Sequence, residues 1–355
     1  MKKLLPEPFD FIAHYPIGHY LQSMLVPPPK NVAAYCVTPR SSSLLVAPAR
    51  GGAGVFGENI SHVVGAPNAE MFDPAVSEDS SFNIAGPYQK SVVRRFGLNR
   101  GGGAVVIFDH PRMYLNFHGM QSANVPISDV YAELARAPQS ILPGWQGGET
   151  YIWAAMSDRM ELAGEGVYAS TLHQLFLAGI PESIVDFICS WARGTRQTLA
   201  AIIPYPIAVA GWARTHYEGD RFFHLVIPSP SVVSVFTFID GKCTHYFAPK
   251  NDNYAGGEVA GAIEDVNISS AESQPGNVYV WPTVGMETEK FMQGLRQGGL
   301  RNASIVAPTS EGGLPLAPTM GLCEWALKAV FPEFPGLEGS LSSFDLPAPE
   351  VGLTT

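Results

Sequence analysis

Three polar residues in the first half of the chain have side chains that could bind a metal ion or move a proton. Asp109 and His110 follow an apolar run, and His118 comes later in the same segment. Histidine titrates near neutral pH and is a common metal ligand. In extended chain, however, His110 and His118 are about 26 Å apart, too far to share one metal unless the chain folds back. We therefore interpret these residues as structural or surface residues.

Two further groups of polar residues could take part in catalysis. Three histidines could approach one another across a predicted meander of strands: His216, His224 and His245. No carboxylate at a regular spacing joins them. Asp158, Glu161 and Glu165 are close in sequence, and a general acid and base pair needs carboxylates about 5 to 10 Å apart. Because Gly164 and Gly166 lie beside Glu165, we favour a solvated loop over an acid–base pair.

Glycine-rich segments are the remaining candidates for a binding site. Residues 52–57, GAGVFG, match the GxGxxG pattern of dinucleotide-binding turns. The chain then reaches Gly65 and Pro67 before a helix could develop, so we predict a loop here and no cofactor site. Residues 100–103, RGGG, lack the Lys-Ser/Thr pair of a phosphate-binding loop. The chain also contains no HExxH or GxSxG pattern.

Composition narrows the functional class. The net charge of −10 argues against a general nucleic-acid-binding protein, because phosphate binding needs clustered Lys and Arg. Four cysteines without a CxxC pair indicate neither a zinc ribbon nor a disulfide framework: Cys36, Cys189, Cys243 and Cys323.

The sequence predicts neither a signal peptide nor a membrane span. Pro6 and Glu7 interrupt the apolar start of the chain, whereas a signal peptide needs an unbroken apolar region. The longest apolar run, 198–213, is shorter than the roughly 20 residues of a membrane span. We expect a cytoplasmic protein without direct membrane insertion.

The hydrophobic pattern predicts strands that alternate with helices, which is typical of an α/β fold. The clearest signal is a meander of three strands over 224–248, in which Asp240 and Gly241 supply a tight turn. The other predicted strands are two within 31–49, a hairpin formed by 104–108 and 113–117, and 151–156, 200–204, 277–281 and 303–306. The predicted helices are 128–137, 167–178, 181–194, 207–214, 256–266, 287–297 and 317–331.

The order of these elements in residues 200–331 resembles the actin-like ATPase superfamily, and within it the PilM and GspL components of type IV pilus and type II secretion machines. The meander is similar to the second phosphate-binding hairpin of that superfamily. The resemblance implies an α/β, actin-like (ribonuclease H-like) two-domain fold with an inserted small α+β subdomain. The implied segments are a Pro-rich arm at 1–30, a first domain at 31–215 with the insertion at about 88–160, a second domain with a closing helix at 216–335, and an irregular tail at 336–355.

The chain departs from the superfamily's pattern at the positions that would bind nucleotide. The phosphate- and metal-binding aspartate of the first hairpin would fall near Thr38, and that of the second falls at Pro228, followed by Ser229. The Gly-Gly pair of the adenosine site is replaced by Trp281 and Pro282. Proline offers neither a charge nor a backbone donor. The resemblance therefore implies weak or absent Mg-ATP binding, and we expect no cofactor, no metal ion and no catalytic residue.

The resemblance also indicates a function. We expect a non-catalytic scaffold at the cytoplasmic face of the inner membrane, which binds the N-terminal cytoplasmic peptide of an inner-membrane assembly protein and which could form homo-oligomers. An acidic surface would suit a partner with basic residues next to its membrane span. Two alternatives remain open: a kinase-type enzyme of the same superfamily that keeps ATP binding, and an all-β structural protein similar to a capsid jelly roll.

Overall fold

The computed structural model describes residues 31–38, 42–48, 56–60, 98–110, 112–120, 127–142, 145, 151–161, 171–229, 232–249, 256–270, 275–283, 287–308 and 318–331. The predicted N-terminal arm at 1–30 and the predicted tail at 336–355 lie outside these ranges. The same is true of residues 52–55 and of Glu165, so their predicted roles stay predictions.

The described residues contain thirteen strands and six α-helices. The strands are β1 Asn31–Val37, β2 Ser42–Pro48, β3 Phe56–Ile60, β4 Gly103–Phe108, β5 Tyr114–Met120, β6 Tyr151–Glu161, β7 Thr171–Pro181, β8 Thr198–Pro204, β9 Phe222–Pro228, β10 Val233–Ile239, β11 Lys242–Phe247, β12 Asn277–Val280 and β13 Ala303–Ile305. The helices are α1 Ile127–Arg136, α2 Glu182–Gly194, α3 Tyr205–His216, α4 Gly256–Ser269, α5 Thr288–Gln297 and α6 Pro318–Val330. The α/β prediction is confirmed, and the all-β alternative is wrong.

The first domain is built on a five-stranded sheet of order β3-β2-β1-β4-β8. The pairs β3–β2 and β2–β1 are antiparallel, whereas β1–β4 and β4–β8 are parallel. The central strands β1 and β4 read NVAAYCV and GAVVIF, and nearly all of their side chains are buried. Parallel strands covered on both faces need such continuous apolar runs, because neither face meets water.

The second domain repeats this arrangement strand for strand. Its sheet has the order β11-β10-β9-β12-β13, with β11–β10 and β10–β9 antiparallel and β9–β12 and β12–β13 parallel. The predicted meander is confirmed as β9, β10 and β11. Asp240 and Gly241 have φ values of 49° and 72° at the β10–β11 turn, as a type I′ turn requires. The two halves therefore share one topology.

A separate three-stranded sheet of order β5-β7-β6 is inserted into the first domain between β4 and α2. Its strands span 114–181, whereas the sequence placed the insertion at about 88–160. The predicted hairpin of 104–108 with 113–117 is wrong, because β4 pairs with β1 and β8 while β5 pairs with β7. The predicted helix at 167–178 is also wrong. Residues 171–181 form β7, the central strand of this sheet, and the tertiary pairing on both edges overrides a helix-like spacing.

The chain returns to the first domain at its last described helix. Helix α6 packs against β1 and β2, and the Thr319 hydroxyl hydrogen-bonds the Ser43 hydroxyl at 2.6 Å. Helix α3 packs against α6 and also contacts strands of both large sheets. As a result, one continuous apolar core runs from the first sheet through α3 and α6 to the second sheet. This shared core holds the two domains against each other.

We predict opposite effects for alanine at two adjacent glycines of α4. A Cβ at Gly256 would come within 2.7 Å of the Leu295 backbone nitrogen and 2.8 Å of the Phe291 carbonyl oxygen, whereas a Cβ at Gly257 would meet nothing within 4 Å. Gly256→Ala should destabilise the protein by about 1 to 3 kcal/mol, because helix α5 cannot yield its backbone. Gly257→Ala should be neutral or stabilising by up to about 1 kcal/mol. Urea unfolding of both variants checks this, and equal midpoints would contradict it.

Candidate functional site

The parallel strands of both large sheets end at one cleft between the domains. Asp109 follows β4, Tyr205 follows β8, Pro228 ends β9 and Thr283 lies just beyond β12, and all four line a cavity of about 240 Å³. In open α/β sheets, ligands bind beyond the carboxyl ends of the strands. The cleft is therefore the candidate functional site of the described residues.

The turn between β9 and β10 has few backbone donors for an anion. Pro228 and Pro230 have no N–H group. The N–H of Ser229 donates to the carbonyl oxygen of Val232 at 2.9 Å and is therefore occupied. Phosphate-binding turns act by directing N–H groups at the ligand. Residues 228, 229 and 230 therefore offer no free N–H group to a ligand. Pro228 and Ser229 line the cleft.

The replacement of the Gly-Gly pair has a structural consequence that the sequence did not reveal. Trp281 is fully buried, and its indole Nε1–H donates to the Tyr205 hydroxyl at 2.8 Å. Its ring meets Trp212 edge-to-face with centroids 5.1 Å apart. Pro282 and Thr38 are partly buried, and neither they nor Trp281 are among the described lining residues of the cleft. The indole at this strand end is thus part of the interdomain core.

Asp109 is the acidic residue among the described lining residues of the cleft. Its backbone N–H donates to Val37 at 3.0 Å, which fixes the carboxyl group at the end of β4. Burial raises the pKa of Asp109 to about 6, and a hydrogen bond from the His110 backbone opposes this only in part. The sequence interpretation took Asp109 as structural or surface. The missed signal was a carboxylate directly after the buried run AVVIF, at the end of a parallel strand.

The surroundings of Asp109 do not supply a positive charge within the described residues. No lysine or arginine is among the described residues that line the cleft. His110 lines it, but burial and the nearby Arg112 guanidinium lower the pKa of His110 to about 4. His110 is therefore neutral at physiological pH, and its Nδ1 accepts a hydrogen bond from the Arg112 backbone N–H at 3.1 Å.

Thr283 lines the same cleft and has an unsatisfied polar atom. Its hydroxyl oxygen is buried and has no hydrogen-bond partner among the described residues. A buried hydroxyl without a partner costs about 1 to 3 kcal/mol, so such atoms are rare in folded proteins. Asp109 from the first domain and Thr283 from the second thus line one cavity, but the Thr283 hydroxyl oxygen is closed off from it.

The structure brings two of the three meander histidines near each other: His224 of β9 and His245 of β11 both pair with Thr237 of β10, whereas His216 lies on α3. His224 is fully buried and bonded to Thr237 at 3.0 Å and Asn267 at 2.9 Å, so it joins β9 to β10 and α4. His118 bonds the Tyr114 hydroxyl at 2.6 Å, and His216 stacks on Trp212. In the described part of the chain no group of three His, Cys, Asp or Glu residues could hold a metal ion. These positions support the structural interpretation.

The two remaining sequence candidates fall in strands or outside the described residues. Asp158 and Glu161 lie on β6 of the small sheet, not in the loop that the glycines suggested. Gly57, the last glycine of GAGVFG, lies in β3, which pairs with β2. A dinucleotide-binding turn would lead into a helix at this point. The predicted loop is therefore wrong for residues 56–60, which form a strand and not a helix.

No protein-family model and no curated protein matches the chain. Among solved structures it is similar to a Bacteroides thetaiotaomicron protein with actin-like ATPase fold and unknown function, at 9% identity and TM-score 0.47 over 86% of this chain and 97% of that chain. It is also similar to a PilM–PilN type IV pilus biogenesis complex, at 12% identity and TM-score 0.49 over 88% of this chain and 100% of that chain. A third match is the cytoplasmic domain of EpsL, an inner membrane component of the Vibrio cholerae type II secretion system. The identity is 9% and the TM-score 0.40, over 84% of this chain and 95% of that chain.

The strand order and strand directions, repeated in both halves, identify the fold. It is actin-like. The two-domain, actin-like prediction is confirmed, together with an inserted small subdomain whose place in the chain is corrected above. In this fold the candidate cleft lies between the domains. None of the six described helices has the length and hydropathy of a membrane span.

We predict that Asp109→Asn stabilises the protein at high pH and not at low pH. The pKa of Asp109 is about 6 in the folded state against 3.8 for the free side chain. The contribution of the Asp109 carboxyl group to folding stability is therefore fully present below pH 4, and it is lost as the pH rises through 6. At pH 8 the variant should gain about 2 to 3 kcal/mol, and at pH 4 almost nothing.

Urea unfolding at the two pH values measures this difference. Asp186→Asn on α2 is the matched control, because Asp186 is exposed and its replacement should change stability by less than about 0.5 kcal/mol at either pH. A loss of stability for Asp109→Asn at pH 8 would show that the carboxylate has a favourable partner and would contradict the prediction.

Proposed function

We propose that this protein is a non-catalytic scaffold of a type IV pilus or type II secretion-like machine, and that it binds the cytoplasmic segment of an inner-membrane partner. The observation that carries the non-catalytic part is the β9–β10 turn. Pro228 supplies no carboxylate for a metal ion and no N–H for a phosphate, and the Ser229 N–H is already bonded to Val232. A pseudo-ATPase is expected when the phosphate and metal ligands are missing together.

Cleft size and charge support the same proposal. The cavity of about 240 Å³ is below the range of roughly 300 to 1,000 Å³ for ligand pockets. A nucleoside triphosphate carries several negative charges. The described lining residues include the acidic Asp109 but no lysine or arginine. Phosphate groups are usually neutralised by Lys, Arg or a bound metal ion. The described cleft offers no such group.

The partner class rests on the resemblance in sequence layout and on charge. The chain has 32 acidic and 22 basic residues, which give it a net charge of −10. Cytoplasmic segments beside a membrane span are enriched in Lys and Arg. An acidic protein attracts such a segment and would be held at the cytoplasmic face of the inner membrane by it. Homo-oligomers are compatible with this role, whereas nucleic acid is not an expected partner.

We expect that neither the natural protein nor Pro228→Asp binds Mg-ATP with a dissociation constant below about 1 mM. The aspartate would return one ligand, but the occupied Ser229 N–H and the Trp281 core would remain. Isothermal titration calorimetry with Mg-ATP measures this, and Pro228→Ala controls for the loss of the proline ring. Micromolar binding by the natural protein would favour the kinase-type enzyme instead.

We also expect an inner-membrane protein with a short cytoplasmic N-terminal segment to copurify with the tagged full chain from its native cells. Solubilised membranes and mass spectrometry identify it, and a synthetic peptide of its N-terminal segment should then bind directly. The electrostatic part of this contact should weaken as salt increases, because exposed charges are screened. If the chain stayed in the soluble fraction without any membrane protein, the scaffold proposal would be wrong.

A further inference from the structure

The described lining residues of the cleft include one acidic side chain and no lysine or arginine. The Asp109 carboxyl group receives one hydrogen bond, from the backbone of His110, and forms no ion pair within the described residues. A carboxylate has about four acceptor sites, so most of its capacity is unused. Burying a charge without a partner is costly, and an opposite charge is the group that reverses this cost most effectively. The cleft is therefore complementary to a cation.

We propose that the cleft binds a small organic cation, a primary amine with an apolar or aromatic body. The ammonium group would bind the Asp109 carboxylate at the end of β4, inside a cavity lined by residues of both domains. An ammonium group has three donors and no acceptor. It therefore matches a carboxylate, which only accepts hydrogen bonds and carries the opposite charge.

The walls of the cleft suit the rest of such a molecule. Three tyrosines contribute aromatic surface: Tyr114, Tyr205 and Tyr246. Aliphatic side chains complete the lining: Met113, Leu115, Ile227 and Val232. Aromatic faces attract cations within about 6 Å, and apolar walls bury a hydrocarbon body. A small inorganic cation would use none of this apolar surface, which favours an organic one.

The charges of the described lining residues disfavour an anion as the occupant of the cleft. His110 is neutral at physiological pH because its pKa is lowered to about 4. Arg112 is exposed, lies beside His110 and is not among the lining residues. An anion would meet the Asp109 carboxylate without a compensating charge from the described walls. This inference goes beyond the scaffold role and does not depend on it, since a scaffold without ATP binding can still bind an amine.

The test compares two probes of nearly equal shape. Benzylamine carries the ammonium group, and benzyl alcohol replaces it with a neutral hydroxyl. We expect benzylamine to bind the full-length protein with a dissociation constant of about 1 mM or lower, and benzyl alcohol to bind at least about tenfold more weakly. Calorimetry and ligand-observed NMR measure both. Absence of benzylamine binding, or equal binding of the two probes, would overturn the proposal.

One variant locates the site, and it is expected to fold. Asp109→Asn should weaken benzylamine binding by about 10- to 100-fold, because a hydrogen-bonded charge pair is lost. Thr283→Val keeps the shape of a lining residue and removes a hydroxyl that is closed off from the cavity. It should leave the affinity unchanged within about twofold, with no loss of thermal stability. The exposed Asp186→Asn is the control and should bind as the natural protein does. Unchanged affinity in Asp109→Asn would contradict the proposed site.

Discussion

The hydrogen bond from Trp281 to Tyr205 is the contact on which the arrangement of the two domains depends. Trp281 follows β12 of the second domain, and Tyr205 opens α3 of the first, directly after β8. Both side chains are buried, so each supplies the partner that the other cannot obtain from water. Trp212 of α3 packs edge-to-face on the same indole. The strand end that the resemblance assigns to adenosine therefore belongs to the core that joins the domains.

Tyr205 connects this core to the cleft, because it accepts the hydrogen bond from Trp281 and also lines the cavity of about 240 Å³. The small cavity excludes most water from Asp109, and this desolvation raises the pKa of its carboxyl group. Asp109 is therefore an acidic side chain whose charge no lysine or arginine of the described walls balances.

The sequence predicted the second domain well because its signals are local. The Asp240-Gly241 turn, the apolar run of β12 and the helices near 256–266 and 287–297 each follow from a few adjacent residues. The small sheet was missed because its order depends on pairing between distant segments. β7 lies between β5 and β6, which precede it in the chain, and no local pattern encodes that contact. The spacing of apolar residues in 167–178 then suggested a helix.

Within the candidate site, the sequence gives the chemistry of single residues but not their surroundings. Pro228 and Ser229 line the cleft, and a proline at a strand end lacks an N–H group whatever surrounds it. The acidic character of the cleft could not be predicted in the same way. Asp109 and Thr283 are far apart in sequence and meet only because β4 and β12 end at one cavity. Their unused capacity depends on burial, which a single sequence does not give.

The position of these two residues links the cleft to the domain arrangement. An occupant bound to Asp109 would touch cavity walls from both domains, so it would bind best when the domains are as close as they are here. Any ligand that prefers one arrangement shifts the population toward it by its difference in affinity. A cation in the cleft would therefore favour this arrangement, whereas an empty cleft leaves the Asp109 charge unbalanced and weakens it. A partner surface formed by both domains would respond to the occupant without contacting it.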